Sequence, residues 1–442
     1  MSKKLRAFYA RFSLAVLLLV CGFAVFYPTV HPEATVPFDS GNLAWMISAA
    51  GLVLLMTPGL SYFYGGMVSS KNIISTMLQS FVALSVITIL WYVVGFSLSF
   101  GDSIGGFIGN PFSYFMFDNV GTAPHASIGV TVPFILFAAF QLKFAIITPA
   151  LITGAFAERV KFWGYLLFMV LFCLLIYCPL AHWTWHPEGF LFKWGVLDFA
   201  GGTVVHISAG MAALAGAMFF GRRKVHVEEG HSSSPVNIPY VLLGTGLLWF
   251  GWFGFNAGSA LAADTLAVTA FVNTNLASAS AMLAWLLFDA SQGRKPSALG
   301  GCIGAVVGLV AITPAAGFVN FGASVTIGVI ASIISNLAVH IKSKSTLDDT
   351  LDVFPCHGIG GIVGMIATAV FAKNGGLITG ETDLLVKHLL ALVLVCGFTF
   401  IGSYVLYVIT NAIIPLRVSE KQEEEGLDIS QHDERYTLAV RE

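Results

Sequence analysis

The chain has 442 residues, 56% of them hydrophobic and only 10% charged, with a formal net charge of −2. Soluble domains carry about 25% charged residues, so this composition excludes one and describes an integral membrane protein. The near-neutral balance implies no nucleic-acid partner.

Residues 1–32 open with Lys3, Lys4, Arg6 and Arg11 ahead of SLAVLLLVCGFAVF. A basic stretch followed by an apolar core of this length has the form of a signal peptide, and the core falls short of the roughly 20 residues that a span needs. A cleaved leader and an additional N-terminal helix both fit, and both place residues 30–42 outside. Eleven apolar segments follow, at about 43–66, 73–100, 129–156, 162–182, 198–220, 238–258, 265–288, 297–315, 321–341, 353–373 and 388–415. Together residues 33–415 make one membrane domain, and 416–442 form a polar tail. An odd number of crossings puts the two ends on opposite sides. Lys71, Arg159, Lys161, Arg222, Arg223, Lys224, Arg294, Lys295, Lys342 and Lys344 all fall in alternate connections. That side is expected to be cytoplasmic, together with the tail. The six cysteines lie in apolar segments without a CxxC or histidine-rich context, and read as buried thiols.

Segment five begins LDFAGGTVVH and segment ten begins LDVFPCH. Five segments separate the two, so a five-helix repeat inserts the second copy upside down, as in transporters whose site lies between inverted halves. This places His206 and His357 in one central region. His206 lies roughly 12 Å below Asp198 at 1.5 Å per residue, on a face shared with Gly202, Gly210 and Ala213, and His357 is followed by Gly361 and Gly364. Small residues beside each imidazole let helices approach closely. A histidine bonded to a carbonyl at a helix contact is the plain alternative, but two matched ionisable groups inside a membrane point to a pathway. Asp198 opens its helix, where a carboxylate caps free N–H groups and also attracts a cation. Trp183, Trp185, Phe253 and Phe255 cluster toward the outer side, as an interfacial belt or as ring faces that hold a cation.

Five blocks carry a family resemblance: FYGGMVSSKN, FQLKFAIITPALITGAFAERVKF, DFAGGTVVHISAG with GRR, GWFGFNAGSA and VFPCHGIGGIVG. Their order across about 43–436 resembles the ammonium transporter (Amt/Mep/Rh) family, in its Amt/Mep branch. The resemblance implies an all-α bundle of eleven helices with inverted five-helix repeats, assembled as a homotrimer with a pore in each protomer. It implies that Phe144, Trp185 and Ser259 form the outer cation site, with Asp198 near the mouth. It implies that Phe144 and Phe255 gate the pore, and that His206 and His357 line it. No cofactor, metal or enzymatic role is implied. The substrate is ammonium or ammonia, the location the plasma membrane (the inner membrane in a bacterium), and the cytoplasmic partner a PII-type signalling protein.

The chemistry suits these roles. Moving ammonium past two phenylalanines into a dry passage strips its water and disfavours the charged form. Crossing as ammonia avoids a desolvation cost of several kcal/mol, and potassium has no proton to lose. Two residues depart from the family pattern: Lys143, beside Phe144 in mid-segment, and Asp433, where the tail has a small residue before a turn of positive φ. Lys143 is expected to point away from the Phe144 face toward carbonyls or an acid. The tail resembles one that packs under neighbouring pores, although a solvated tail is the default reading. Competing readings are an ammonium sensor with little conduction, and an intramembrane enzyme or bis-histidine redox protein, for which HExxH, GxSxG and a Cys/His ligand cluster are missing.

Overall fold

Lipid offers a backbone no hydrogen-bond partners, so apolar segments of this length fold as helices. The computed structural model describes residues 3–228 and 235–437. Its first long helices are α1 (Lys3–Phe26), α2 (Ser40–Met67), α3 (Ile73–Phe100), α4 (Phe134–Phe156), α5 (Phe162–Trp194) and α6 (Gly202–Phe220). They are followed by α7 (Ile238–Ala260), α8 (Thr265–Ser291), α9 (Ala298–Ile312), α10 (Phe321–Ser343), α11 (Phe354–Phe371) and α12 (Asp383–Ile413). The eleven expected segments are α2–α12. Eleven helices among the described residues are long and apolar enough to cross a membrane, and the protein is a multi-pass membrane protein. That set omits α9 and includes Ala7–Phe26 of α1, whose 20 residues correct the expectation that the N-terminal apolar stretch is too short to span. With 15 residues α9 is about 22 Å long, against a hydrocarbon core of about 30 Å. It is buried from Gly300 to Ile312, packed among α7, α8, α10 and α11.

Two five-helix sets, α2–α6 and α7–α11, meet at the centre through α6 and α11. Each of these helices begins with a wide π turn, Gly202–Ile207 in α6 and Phe354–Ile359 in α11. The packing is reciprocal: the remainder of α6 lies on the π turn of α11, and the remainder of α11 lies on that of α6. The crossing is close enough that a Cβ on Gly210 would sit 2.1 Å from the backbone nitrogen of Gly358. No side chain fits there, which explains the small residues beside both histidines.

The face carrying the tail is called the lower face below, and its opposite the upper. Helix α1 runs between them on the outside of the bundle. Its Tyr9 hydroxyl donates to the Ile413 carbonyl at 3.0 Å, and just beyond its other end the Tyr27 ring meets Phe115 at 5.4 Å. Beyond α1, the Val30 N–H donates to the Asp118 carboxylate at 2.7 Å, fastening the chain to the upper loops.

The tail docks against the helices of its own chain instead of lying free in solvent. A short helix, α13 (Glu420–Glu425), starts at a capping box between Ser419 and Gln422. Asp428 accepts from the N–H groups of Ile74 and Ser75 at the start of α3, at 3.1 and 2.7 Å. The Leu427 N–H donates to Asn72 at 2.7 Å. Arg417 pairs with Glu423, and the lower loops are joined by the buried ion pairs of Arg223 with Glu158 and Asp348. Burial pushes the Asp348 carboxyl up, yet Arg159 and Arg223 beside it hold it well below the usual carboxylate range.

Asp433 adopts the left-handed conformation, φ 59° and ψ 35°. The positive-φ turn therefore forms with Asp433 in place, because aspartate tolerates this region better than most residues. Asp433→Gly is expected to remove about 1 kcal/mol of strain or less. The expected readout is slower trypsin cleavage at Lys421 in the detergent-solubilised protein. Cleavage faster than wild type would show that the Asp433 side chain contributes more than its backbone costs.

Candidate functional site

An upper cavity of about 210 Å³ lies between α4, α5 and α7, with Gln141, Phe144, Trp185, Ser259 and Leu261 in its wall. Three residues expected at the outer site, Phe144, Trp185 and Ser259, are thus brought together. The Phe144 ring meets Trp185 edge-on at 5.8 Å. The Ser259 hydroxyl donates to the Phe255 carbonyl at 2.9 Å, which spends its hydrogen and leaves oxygen lone pairs as acceptors. Ring faces plus a hydroxyl acceptor suit a small cation with N–H donors.

The floor of this cavity is a plug of two rings. Phe144 and Phe255 lie 4.3 Å apart between centroids, tilted by 36°, and both are buried. Below them is a space of about 10 Å³ lined by His206, Trp252, Phe255, Val306, His357 and other apolar side chains of α2, α4, α6 and α7. That is about the least volume that holds one water-sized molecule. The two imidazoles are 5.4 Å apart, with Nδ1 facing Nδ1 at 3.3 Å. One Nδ1 must carry a hydrogen and the other a lone pair, so with both rings neutral the two Nε2 atoms are one donor and one acceptor. The Nε2 of His206 has no hydrogen-bond partner among the described residues.

Asp198 lies before the first π turn. Its carboxylate accepts from the N–H groups of Gly201, Gly202 and Thr203 at 2.8, 2.7 and 2.7 Å, and from the Thr203 hydroxyl. Gly201, at φ 120°, makes the bend that aims these groups back at one side chain. The capping role is therefore present. Asp198 also touches the outer site, because the Trp185 indole N–H donates to its carbonyl at 3.2 Å.

Comparison with known proteins identifies the family. The sequence model of the Ammonium Transporter Family matches residues 44–437. The chain belongs to the ammonium transporter family. It is 46% identical over 404 residues to an ammonium transporter of Aquifex aeolicus, covering 90% of this chain and 93% of that protein. The crystal structure of Saccharomyces cerevisiae Mep2 superposes with a TM-score of 0.82 at 36% identity, over 88% of this chain and 92% of that one. A solved structure named "Sensor Amt Protein" gives the same TM-score at 31% identity, over 89% and 98%.

Several features of this ammonium transporter family member escape a reading of its sequence. The outer aromatic cluster divides: the Trp183 indole N–H donates to the Phe107 carbonyl at 2.7 Å and Phe253 stacks on Phe271 at 4.1 Å, away from the site. Trp252 stacks on His206 at 5.2 Å and 17° while its N–H donates to Thr313 at 2.9 Å. Gln141 lines the upper cavity with an amide oxygen that has no partner among the described residues. Gln141 lies three residues before Phe144 and Trp252 three before Phe255, on the same helix face, which is the signal that would have found them.

The Leu-Asp echo pairs Asp198 with Asp352, but the structural counterpart is Asp349. Its carboxylate accepts from the N–H groups of Val353 and Phe354 at the second π turn, at 3.1 and 2.7 Å. Burial pushes this carboxyl up to about 6, against the pull of Lys342. Lys143 is absent from the walls of both cavities. It is half-buried, and the expected carbonyl or acid partner is not found among the described residues.

Proposed function

We propose that the chain conducts ammonium nitrogen across the membrane as ammonia. Ammonium settles on the ring faces of Phe144 and Trp185 and donates to Ser259, while Asp198 favours the cation at the mouth. Passing Phe144 and Phe255 costs the ion its hydration, so it releases a proton above the gate; that proton either crosses separately, which gives an ammonium-induced current, or returns to the upper side, which gives uptake without one. Ammonia then passes His206 and His357, whose Nε2 atoms offer it one donor and one acceptor. The observation that carries this reading is the imidazole pair beside a space of about 10 Å³, too small for an ion with its water.

The same reading makes the upper face extracellular and the lower face cytoplasmic, in the plasma membrane or a bacterial inner membrane. The lysines and arginines of the lower loops support that orientation. Homotrimeric assembly and a PII-type partner at the lower face complete the proposal, as does removal of residues 1–32 as a leader. N-terminal sequencing of the membrane-purified protein separates a leader from a retained α1. Ammonium-induced current and methylammonium uptake in reconstituted vesicles test conduction. Saturable uptake is expected. Ammonium binding without flux would favour a sensor instead, a reading that the likeness to "Sensor Amt Protein" keeps in play.

A further inference from the structure

Helix α12 belongs to neither repeat, yet it sends one buried imidazole to the upper mouth. His388 is 0% exposed. Its Nε2 accepts from the Leu197 N–H at 3.0 Å, and its Nδ1 lies 2.8 Å from the Met365 carbonyl oxygen. A backbone N–H only donates and a carbonyl only accepts, so the ring is held as the neutral tautomer with its hydrogen on Nδ1. Leu197 immediately precedes Asp198, and Met365 lies two turns beyond His357 on α11. One ring therefore ties the segment that caps the His206 turn to the helix that carries His357. The Leu197–Asp198 segment is gripped at both ends, by His388 at its N–H and by the Trp185 indole at its carbonyl.

We propose that His388 is a positioning residue for the upper cation site. By fixing Leu197 and Asp198 it sets the direction of the Trp185 indole, and so governs how tightly ammonium is held more than how fast it passes. The inference rests on the conduction reading above. The sequence reading had no purchase on it, because a histidine early in the last apolar segment carries no spacing to the other two.

The test compares His388→Gln, His388→Asn and His388→Ala by methylammonium uptake in vesicles, normalised to reconstituted protein. A glutamine amide oxygen reaches the Nε2 position and accepts from Leu197. An asparagine amide nitrogen reaches the Nδ1 position and serves Met365 alone. His388→Ala and His388→Asn are expected to raise the half-saturating concentration roughly 3- to 10-fold, the effect of one net buried hydrogen bond. Their maximal rates should stay within about twofold of wild type, and His388→Gln should match wild type in both respects. If His388→Gln shifts as far as His388→Asn, or if every variant lowers only the maximal rate, the positioning role is overturned. The Asn and Gln pair decides the matter even if His388→Ala does not fold. The wild-type vesicles serve as the control: ammonium binding without saturable uptake there refutes the conduction reading itself, whereas saturable uptake there beside wild-type kinetics in the His388→Asn variant refutes only the role of His388.

Discussion

Replacing His206 with alanine is expected to lower the preference for ammonium over potassium at least about tenfold, a change of about 1.4 kcal/mol in relative barriers. The measurement is the ratio of ammonium-induced to potassium-induced current in reconstituted vesicles. The ring is 1% exposed and sits between Trp252 at 5.2 Å and Phe255 at 5.8 Å. Its removal opens a hole of imidazole size beside a space of only about 10 Å³. It also strips the Nδ1 of His357 of its partner at 3.3 Å, and a buried polar atom left alone costs about 1–3 kcal/mol. Water that fills the hole would pair that atom and carry hydrated ions with it. Collapse of Trp252 or Phe255 into the hole would close the passage. Either response damages discrimination, so an unchanged current ratio together with wild-type uptake would remove the imidazole pair from the conduction path.

What the sequence leaves illegible has identifiable physical causes. Segment boundaries follow from apolar runs, but 297–315 reads as a full span while α9 stops at Ile312. Pro314 has no N–H to continue the helical ladder, and neither hydropathy nor glycine content registers this. The central pair His206 and His357 is legible because two ionisable groups at matched places in an inverted repeat are costly in hydrocarbon. The π turns that hold them are not, since one extra residue in a turn leaves composition untouched while rotating the helix face that follows. Trp183 and Phe253 look as eligible as Trp185 and Phe255 because composition does not say which face of each helix meets the cavity. Asp349 was within reach: it precedes His357 by the same eight residues that separate Asp198 from His206. The adjacent Leu-Asp in LDVFPCH is the more visible match and the wrong one. The acidic tail reads as solvated because Asp428 finds its partners, the N–H groups at the start of α3, more than 350 residues away in sequence.

Asp198 admits a test that separates its two roles. Asp198→Ala removes the acceptor for three buried N–H groups and one hydroxyl. At about 1–3 kcal/mol for each unsatisfied group, even partial rescue by water leaves a loss of several kcal/mol at the turn that carries His206. Uptake is expected to fall to background, with a lower yield of folded protein. Asp198→Asn is the informative partner. Its amide oxygen still serves Gly201 and Gly202, while its NH₂ faces the Thr203 N–H, so the turn survives weakened and the charge is gone. The Asn variant is expected to reach membranes at close to wild-type amounts, with a half-saturating ammonium concentration raised roughly tenfold, the equivalent of about 1.4 kcal/mol. A buried carboxylate 8% exposed acts through a medium less screening than water, so losing its charge next to the Trp185 site should be felt at that scale. Wild-type half-saturation in Asp198→Asn, measured by methylammonium competition, would leave Asp198 a helix cap and nothing more. The attraction of the cation would then rest on Phe144, Trp185 and Ser259 alone.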